Sequence, residues 1–223
     1  MSAHSSPGRP SRRALLIGAS GLVGRQVLST LLDDPAYGRV HAWVRRPLAR
    51  AHDKLAQQVV DFERLDRVAM PEVDAVFCCL GTTLRVAGSR AAFRRVDHDH
   101  VLACARAARA AGAGHFLLVS AIGADARSRV FYSRVKGETE ADVCALGYPS
   151  VTLVRPSFLA GERAEWRPGE RLAIAVLSPL SFLAPARYRP VADIAVARAL
   201  VDAAARGRPG VEIIESDRLQ AFG

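Results

Sequence analysis

Apolar runs of strand length alternate with longer amphipathic segments along most of the chain. Seven runs have the length and composition of β-strands; they are Ala14–Ile17, Arg39–Val44, Gln57–Phe62, Asp74–Gly81, His115–Ser120, Val151–Arg155 and Val211–Ile214. Four segments between them have helical periodicity; they are Gln26–Leu32, Ser89–Ala111, Phe131–Leu146 and Val191–Ala205. The fourth apolar run carries apolar side chains at successive positions, which is typical of a central strand buried on both faces.

This alternation predicts an α/β fold, a doubly wound parallel sheet with helices on both faces. Ligands of such sheets bind beyond the carboxyl ends of the strands. The chain has 223 residues, which is most simply one domain, and we place that domain at residues 14–223. Residues 1–13 are polar and rich in Ser, Pro and Arg, so we expect a disordered lead-in and no secretory signal.

The least regular region runs from Pro156 to Pro190, and we place a small C-terminal substrate-side subregion there. Within it, Leu172–Ala184 is the longest apolar run of the chain and contains Ser178 and Pro179. It is shorter than the ~20 residues that cross a membrane, so no membrane span is predicted. The run is a lid, a dimer contact or a core helix, and we favour a core helix near the substrate pocket.

A glycine-rich turn joins the first predicted strand to the first predicted helix. Glycine occupies the first, fourth and seventh positions of the segment Gly18–Gly24. Such a turn lets the backbone approach a pyrophosphate closely, and the N–H groups of the following helix point at the phosphates. The predicted cofactor contacts in this segment are Gly18, Ser20, Gly21, Leu22, Val23 and Gly24.

Two arginines follow the second predicted strand, at the position that selects between dinucleotides. A fold of this kind that prefers NAD usually carries Asp or Glu there, to bind the ribose 2′-hydroxyl. This chain has Arg45 and Arg46 instead, and guanidinium groups suit a 2′-phosphate. We therefore predict that NADPH is preferred over NADH; the alternative is a pair of solvated surface arginines.

Tyr132 and Lys136 are four residues apart in a predicted helix, so they share one helix face. A lysine ammonium favours the phenolate of a neighbouring tyrosine, which can then exchange a proton with a carbonyl or alcohol oxygen. Ser120 ends the preceding predicted strand, and its hydroxyl can bind the same oxygen. Lysine occurs elsewhere only at position 54, so a lysine here indicates a need for its compact ammonium. Ser120, Tyr132 and Lys136 are the predicted catalytic residues.

Together these motifs resemble the short-chain dehydrogenase/reductase family, in its atypical branch. The glycine turn is similar to that branch's cofactor turn, and Ser120, Tyr132 and Lys136 match the family's catalytic Ser, Tyr and Lys. Further segments are especially similar to the Tat-interacting oxidoreductase group; they are Phe77–Thr83, Tyr132–Glu138, Val154–Ser157 and residues 159–163. The resemblance covers about Ala14 to Ala205.

The resemblance implies a Rossmann-like fold, NADPH binding and redox chemistry on an oxygen function. It further implies that Leu80, Gly81 and Thr82 line the cofactor, and that Asp61 and Phe62 lie near the adenine. Many family members also use a catalytic asparagine, and this chain contains no asparagine. Its role is vacant here or is filled by water or another side chain. The C-terminal portion is also short compared with sugar-nucleotide epimerases, which leaves little room for a nucleotide-sugar pocket.

The net charge of +9 and the isoelectric point near 10.2 bear on the partners of this protein. The positive charge is almost all arginine and spread along the chain, without a nucleic-acid-binding motif, so we predict no specific nucleic-acid partner. No pair of the four cysteines has zinc-ligand spacing. We expect reduced, packed thiols in a cytoplasmic protein.

Two features containing histidine are interpreted without a metal. Asp97–His100 alternates Asp and His, but residues two apart on a helix do not face each other. We interpret this run as a solvated helix face. His115 begins a predicted strand, and we expect a structural role for it.

Two functions remain open from the sequence. The first is an NADPH-dependent oxidoreductase in which Tyr132 protonates the oxygen of a small carbonyl substrate, or deprotonates an alcohol. In it Lys136 supports the tyrosine and holds the nicotinamide ribose, so both residues also contact the cofactor, while Ser120 orients the substrate. The second is an NADPH-binding regulatory or redox-sensing protein with little turnover. We expect a monomer or a homodimer.

Overall fold

The computed structural model of the protein describes residues 11–160 and 185–223. These residues contain nine β-strands, which are β1 (Arg12–Ile17), β2 (Tyr37–Val44), β3 (Leu55–Val59), β4 (Ala75–Cys78), β5 (His115–Val119), β6 (Ser150–Arg155), β7 (Leu159–Ala160), β8 (Val191–Ala192) and β9 (Gly210–Glu215). Seven of them form one sheet in the order β3-β2-β1-β4-β5-β6-β9, and every pairing in it is parallel. The two-residue strands β7 and β8 pair separately.

The α-helices of the described residues connect these strands. They are α1 (Leu22–Asp33), α2 (Leu84–Ala87), α3 (Arg90–Arg94), α4 (His100–Ala110), α5 (Phe131–Cys144), α6 (Asp193–Arg206) and α7 (Ser216–Leu219). Short 3₁₀ turns occupy Phe62–Arg67, Ala186–Tyr188 and Gln220–Phe222, and a π-helical turn occupies Arg95–Asp99. In the described ranges no helix is both long and apolar enough to cross a membrane. The predicted doubly wound parallel sheet of Rossmann-like order is confirmed.

The core lies in two layers, one on each face of the sheet. Along β1, Ala14 and Leu16 belong to the layer that contains α1 and α6, whereas Leu15 and Ile17 belong to the layer that contains α4 and α5. All four β1 side chains are fully buried, as the alternation of side chains along a strand requires when both faces are covered. Ligands can therefore reach the sheet only at the strand ends.

The N-terminal boundary differs from the sequence expectation. Arg12 and Arg13, which we placed in the lead-in, are the first residues of β1. The backbone N–H of Arg12 donates to Ala36 O at 2.8 Å, and that of Arg13 donates to the Asp74 carboxylate at 2.7 Å. These backbone bonds extend the strand beyond its apolar part. Residues 1–10 and the run 172–184 lie outside the described residues.

Strand β3 ends before the predicted run does. The prediction placed Gln57–Phe62 in one strand, but pairing with β2 stops at Val59. Asp61 caps the following 3₁₀ turn, because its carboxylate accepts a hydrogen bond from the Glu63 N–H at 3.0 Å. An acidic cap outweighs the β propensity of its neighbours here.

The long helix predicted for residues 89–111 is three elements, namely α3, the π-helical turn and α4. The interpretation of Asp97–His100 as a solvated helix face is wrong, since Asp97 and His98 are buried. A π-helical turn holds an extra residue, so both side chains can face inward. His98 binds the carboxylates of Asp99 and Asp142 at 2.7 and 2.8 Å. His100 lies instead against the Phe62 ring, with the ring centroids 5.8 Å apart.

His115 has the structural position that the sequence indicated. Its Nε2 lies 2.9 Å from the Thr152 hydroxyl, between β5 and β6. Burial lowers the pKa of His115 to about 4, although Glu212 acts in the opposite direction. The ring is therefore neutral at physiological pH, and it lies at the amino end of β5, away from the carboxyl ends of the strands.

Candidate functional site

The turn after β1 needs glycine at two positions for packing. Gly18 has φ of +85°, and a Cβ built there would lie 2.5 Å from Cys79 O. A Cβ built on Gly24 would lie 2.0 Å from Gly18 O. Both distances are too short for a real Cβ atom. Glycine at these two positions therefore lets the turn pack against the end of β4 and against its own helix.

Gly21 has different surroundings. Its nearest neighbour for a built Cβ is Gly18 O at 3.4 Å, and both Ser20 and Gly21 are exposed. Gly21 is the N-cap of α1 and offers no capping side chain. The first backbone bond of the helix runs from the Arg25 N–H to Gly21 O, so the N–H groups before it have no partner within the helix.

The N–H groups that lack a partner within the helix belong to Leu22, Val23 and Gly24. The first turn of α1 carries no acidic residue, so the positive end of the helix dipole is not compensated there. The open backbone at Gly21 and this helix end form a cradle that fits a pyrophosphate. The residues present therefore fit a dinucleotide cofactor.

The strand order sets the predicted site residues in a row along the carboxyl edge of the sheet. From β3 to β5 the row spans about 19 Å, at about 4.8 Å per strand. The row begins with Asp61 and Phe62 after β3, continues with Arg45 and Arg46 after β2, the glycine turn after β1 and Leu80, Gly81 and Thr82 after β4, and ends with Ser120 after β5. An extended two-ended ligand suits this layout.

Arg45 and Arg46 are exposed immediately after β2. The loop that follows them is fixed from the neighbouring strand by Gln57. Its side chain accepts from the Leu48 N–H at 2.8 Å and donates to Arg50 O at 2.8 Å. Arg45 and Arg46 are therefore followed by a loop that Gln57 holds in place, at the β3 end of the row.

The resemblance implied that Asp61 and Phe62 lie near the adenine, and their surroundings agree with this only in part. Asp61 is exposed at the edge, although its carboxylate is engaged in the cap described above. The Phe62 ring is buried in the core layer with Leu15 and Ile17. The ring is therefore not presented to a ligand.

Lys136 of α5 lies beside this row and is buried, with 8% of its side chain exposed. Its Nζ lies 2.8 Å from Asp97 Oδ1, and a Cβ built on Gly81 would lie 3.7 Å from it. Burial lowers the pKa of Lys136, but Asp97 and Tyr132 outweigh this effect and the net pKa is raised. Lys136 is therefore a charged ammonium against the loop that follows β4.

Tyr132 lies one helical turn before Lys136 and is half-buried. Its ring contacts Phe93 of α3, with the centroids 5.4 Å apart. Ser120 follows β5, and its backbone N–H continues the sheet by donating to Val154 O at 2.8 Å. The Ser120 side chain is buried, and among the described residues its Oγ has no hydrogen-bond partner. A buried hydroxyl without a partner is available to a ligand atom.

Helix α5 lies unusually close to the loop after β5. A Cβ built on Gly137 would lie 2.2 Å from the Asp125 carbonyl carbon and from Ala126 N. The Asp125 N–H donates to Ser133 O at 3.1 Å. This contact holds the helix that carries Tyr132 and Lys136 against the segment that begins with Ser120.

Sequence reasoning missed two residues of this arrangement. Asp97 was assigned to solvent, although a buried lysine in an arginine-rich chain should have indicated a buried carboxylate nearby. Gly137 was not singled out, although glycine inside a helix costs about 1 kcal/mol relative to alanine and so indicates a packing reason. Both residues contact the predicted catalytic helix or belong to it.

Comparison with known proteins agrees with this geometry. A family described as NAD(P)H-binding matches residues 18–168. An oxidoreductase of the short-chain dehydrogenase/reductase family from Burkholderia thailandensis superposes with a TM-score of 0.66 at 20% identity, over 95% of this chain and 94% of that one. UDP-glucose 4-epimerase from Thermotoga maritima gives a TM-score of 0.66 at 18% identity, over 94% and 80%. At these identities the two structures show the fold alone.

Curated relatives are similar in sequence and correct one expectation. Protein HTATIP2 of Rattus norvegicus is 42% identical over 168 residues, which cover 73% of this chain and 69% of that protein. Protein FMP52-1, mitochondrial, of Scheffersomyces stipitis is 34% identical over 218 residues, which cover 92% and 96%. Several FMP52 relatives are named mitochondrial, which contradicts the prediction of a cytoplasmic protein. Cysteine usage does not distinguish between compartments inside the cell.

The family match, the relatives and the candidate site at the carboxyl edge of the sheet agree with one another. The match begins at Gly18, the first glycine of the cradle, and it includes Ser120, Tyr132 and Lys136. The chain therefore belongs to the NAD(P)H-binding family and is related to HTATIP2 and the FMP52 proteins.

Proposed function

We propose that this protein is an NADPH-dependent oxidoreductase that reduces a carbonyl group of a small molecule, with Ser120, Tyr132 and Lys136 as its catalytic residues. Residues 14–223 act as one domain in this proposal. One observation carries it: a buried, charged lysine lies one helical turn from a half-buried tyrosine, at the edge where a buried serine hydroxyl has no partner among the described residues. Buried hydroxyls usually have a hydrogen-bond partner, and a ligand atom could supply the one that Ser120 lacks.

Each of the three side chains has a separate task. When bound, the nicotinamide supplies a hydride to the carbonyl carbon. Ser120 donates a hydrogen bond to the carbonyl oxygen and orients it. Tyr132 donates its proton to that oxygen as the carbon is reduced, which gives the alcohol. Lys136 stabilises the phenolate left behind through its positive charge.

The cofactor preference rests on the β3 end of the row. Arg45 and Arg46 lie after β2, where a carboxylate would bind the ribose 2′-hydroxyl of NAD. Both residues are exposed at this end of the row. A 2′-phosphate supplies the two acceptor oxygens that a bidentate arginine contact needs.

Oxidation of NADPH by the purified full chain, over a panel of aldehydes and ketones, tests the activity. We expect turnover with at least one carbonyl class, and a loss of about 10²-fold or more in the Tyr132→Phe variant, the usual scale for losing a general acid. NADPH affinity should change little, because the ring and its contact with Phe93 are kept.

Equal turnover by wild type and Tyr132→Phe on a confirmed substrate would remove the catalytic assignment. NADPH binding without turnover on any carbonyl, in the same preparation, would favour the regulatory function instead. The two results are distinct, because the first requires activity and the second requires its absence.

A further inference from the structure

Asp97 connects two parts of the candidate site that are distant in sequence. Its carboxylate is fully buried. Oδ2 accepts a hydrogen bond from the Thr82 N–H at 2.8 Å, in the loop after β4. Oδ1 lies 2.8 Å from Lys136 Nζ on α5. The backbone oxygen of Asp97 accepts from the Thr139 hydroxyl at 2.9 Å, one turn further along α5.

The π-helical turn makes these contacts possible. It holds Asp97 between α3 and α4, where an uninterrupted helix would carry the side chain elsewhere on its surface. Such turns are often found at functional sites. Gly81 completes the arrangement, since a Cβ built there would lie 3.4 Å from Asp97 Oδ1. This distance is an ordinary van der Waals contact, so the loop backbone lies directly beside the carboxylate.

The groups that face Lys136 leave Asp97 as its counterion. Tyr132 lies on the same helix, and Cys78 faces it from β4. Burial raises the pKa of Cys78 to about 12, so that thiol is neutral. Within the described residues, Asp97 is the one carboxylate that forms an ion pair with Lys136.

We propose that Asp97 is a positioning residue, which keeps Lys136 charged and in place while it fixes the loop of Gly81 and Thr82 that borders the cofactor. The inference rests on the proposed function for its catalytic meaning, but the pairing itself can be tested without it. The ammonium has three N–H groups, and its ion pair is with one oxygen of Asp97. In this proposal the ammonium therefore keeps donors for a ligand beside the row.

A carboxylate at position 97 is needed for the contact with Lys136 but not for the contact with the Thr82 N–H. An amide at position 97 can still accept from the Thr82 N–H, because its oxygen is an acceptor. The amide cannot compensate a buried ammonium, so desolvation of Lys136 is then unopposed by an anion. Asp97→Asn therefore removes the negative charge at position 97 and keeps the shape of the side chain.

The first test measures NADPH affinity against pH in a Tyr132→Phe background, so that the phenol cannot contribute. We expect the dissociation constant to stay within about twofold from pH 7 to 9.5 with Asp97 present. With Asp97→Asn it should rise on the order of tenfold over the same range, because Lys136 loses its proton within it. Equal pH dependence in both proteins would overturn the proposal.

The second test uses thermal unfolding without cofactor, in a double-mutant cycle of Asp97→Asn and Lys136→Met. Asp97→Asn alone should lower the melting temperature, and adding Lys136→Met should recover part of the loss, because no unpaired charge then stays buried. Additive losses would mean that the two residues are not coupled. Coupling in this cycle with no NADPH binding by the wild type would instead keep the pair and remove the proposed function.

Discussion

Gly21 and Gly24 lie three residues apart in the same turn, yet they have different roles. The space beside Gly24 is filled by the backbone of the turn itself, whereas a Cβ on Gly21 would make only an ordinary contact with Gly18 O at 3.4 Å. The pattern of glycines in the sequence does not distinguish these roles. The contact distances show that Gly24 is required for packing, whereas Gly21 stays a predicted cofactor contact.

Gly21→Val and Gly24→Val therefore form a matched pair. We expect Gly21→Val to fold with a melting temperature near that of wild type and to lose NADPH binding, because its side chain fills the cradle. Gly24→Val should lose stability by several kcal/mol or fail to fold, since its Cβ collides with backbone. Circular dichroism melts and cofactor titration measure both. Normal NADPH binding by Gly21→Val would place the cofactor elsewhere.

Arg45 and Arg46 allow a second prediction at this scale. The double variant Arg45→Ala/Arg46→Ala should weaken NADPH on the order of tenfold or more and leave NADH nearly unchanged, because only NADPH carries the 2′-phosphate. Isothermal titration with both cofactors measures the difference. Arg50→Ala is the control, as it lies in the same loop beyond the predicted contact. A similar loss for both cofactors would contradict the assignment.

At the scale of elements, the position of α5 decides whether the site forms. Gly137 lets the helix approach the loop after β5, and Arg155 secures its far side. The Arg155 guanidinium donates to both oxygens of Glu140 at 3.0 and 2.6 Å, and to Glu215 at 2.9 Å. Helix α5 is thus fixed to β6 and β9 on one side and to the Ser120 segment on the other.

Gly137→Ala tests this close approach. Alanine in a helix normally gains about 1 kcal/mol over glycine, but here the added methyl group meets backbone at 2.2 Å. We expect a net loss of about 1–3 kcal/mol in the free energy of unfolding. Gly114→Ala is the control, because its nearest neighbour is 3.9 Å away, and it should change stability by less than about 0.5 kcal/mol. Equal effects of the two would show that α5 tolerates displacement.

The helices and strands also show which structural features local sequence patterns can predict. The seven strands of the main sheet, their parallel direction and the placement of the candidate residues near strand ends follow from apolar runs, glycine spacing and charge, all of which are local signals. The π-helical turn and the burial of Asp97 do not, because they depend on partners that lie 15 and 39 positions away along the chain, at Thr82 and Lys136. Periodicity assumes a regular helix, so one extra residue in a turn reversed the predicted exposure of Asp97.

At the scale of the whole molecule, the two ends of the sheet have separate roles. The candidate site occupies the carboxyl edge, whereas His115 lies buried between β5 and β6 near the amino end. A cavity of about 270 Å³ also opens at this end, lined in part by His115, Tyr37 and Asp74. Protonation of His115 therefore reports on the stability of the sheet and not on the chemistry of the site.

His115 gives the protein a predictable response to acid. Its pKa is 6.5 in the unfolded chain and about 4 in the folded protein, so between these values the unfolded chain binds a proton that the folded protein does not. Stability falls as the pH is lowered through this window, by on the order of 2 kcal/mol from this residue. Urea unfolding at pH 6.5 and 4.5 should show a smaller loss for His115→Gln, which keeps a hydrogen-bonding side chain beside Thr152. An identical loss in both proteins would exclude His115 as its source.

The pairing of Lys136 with Asp97 makes the charge at one end of the row of site residues different from the charge at the other end. At the β3 end, two exposed guanidinium groups carry positive charge that solvent or a ligand must balance. At the β5 end, the buried ammonium already has its balancing carboxylate within the protein. A ligand with one strongly anionic end and one weakly charged end therefore has a single favoured orientation along this edge, fixed before any contact is made with its reactive group.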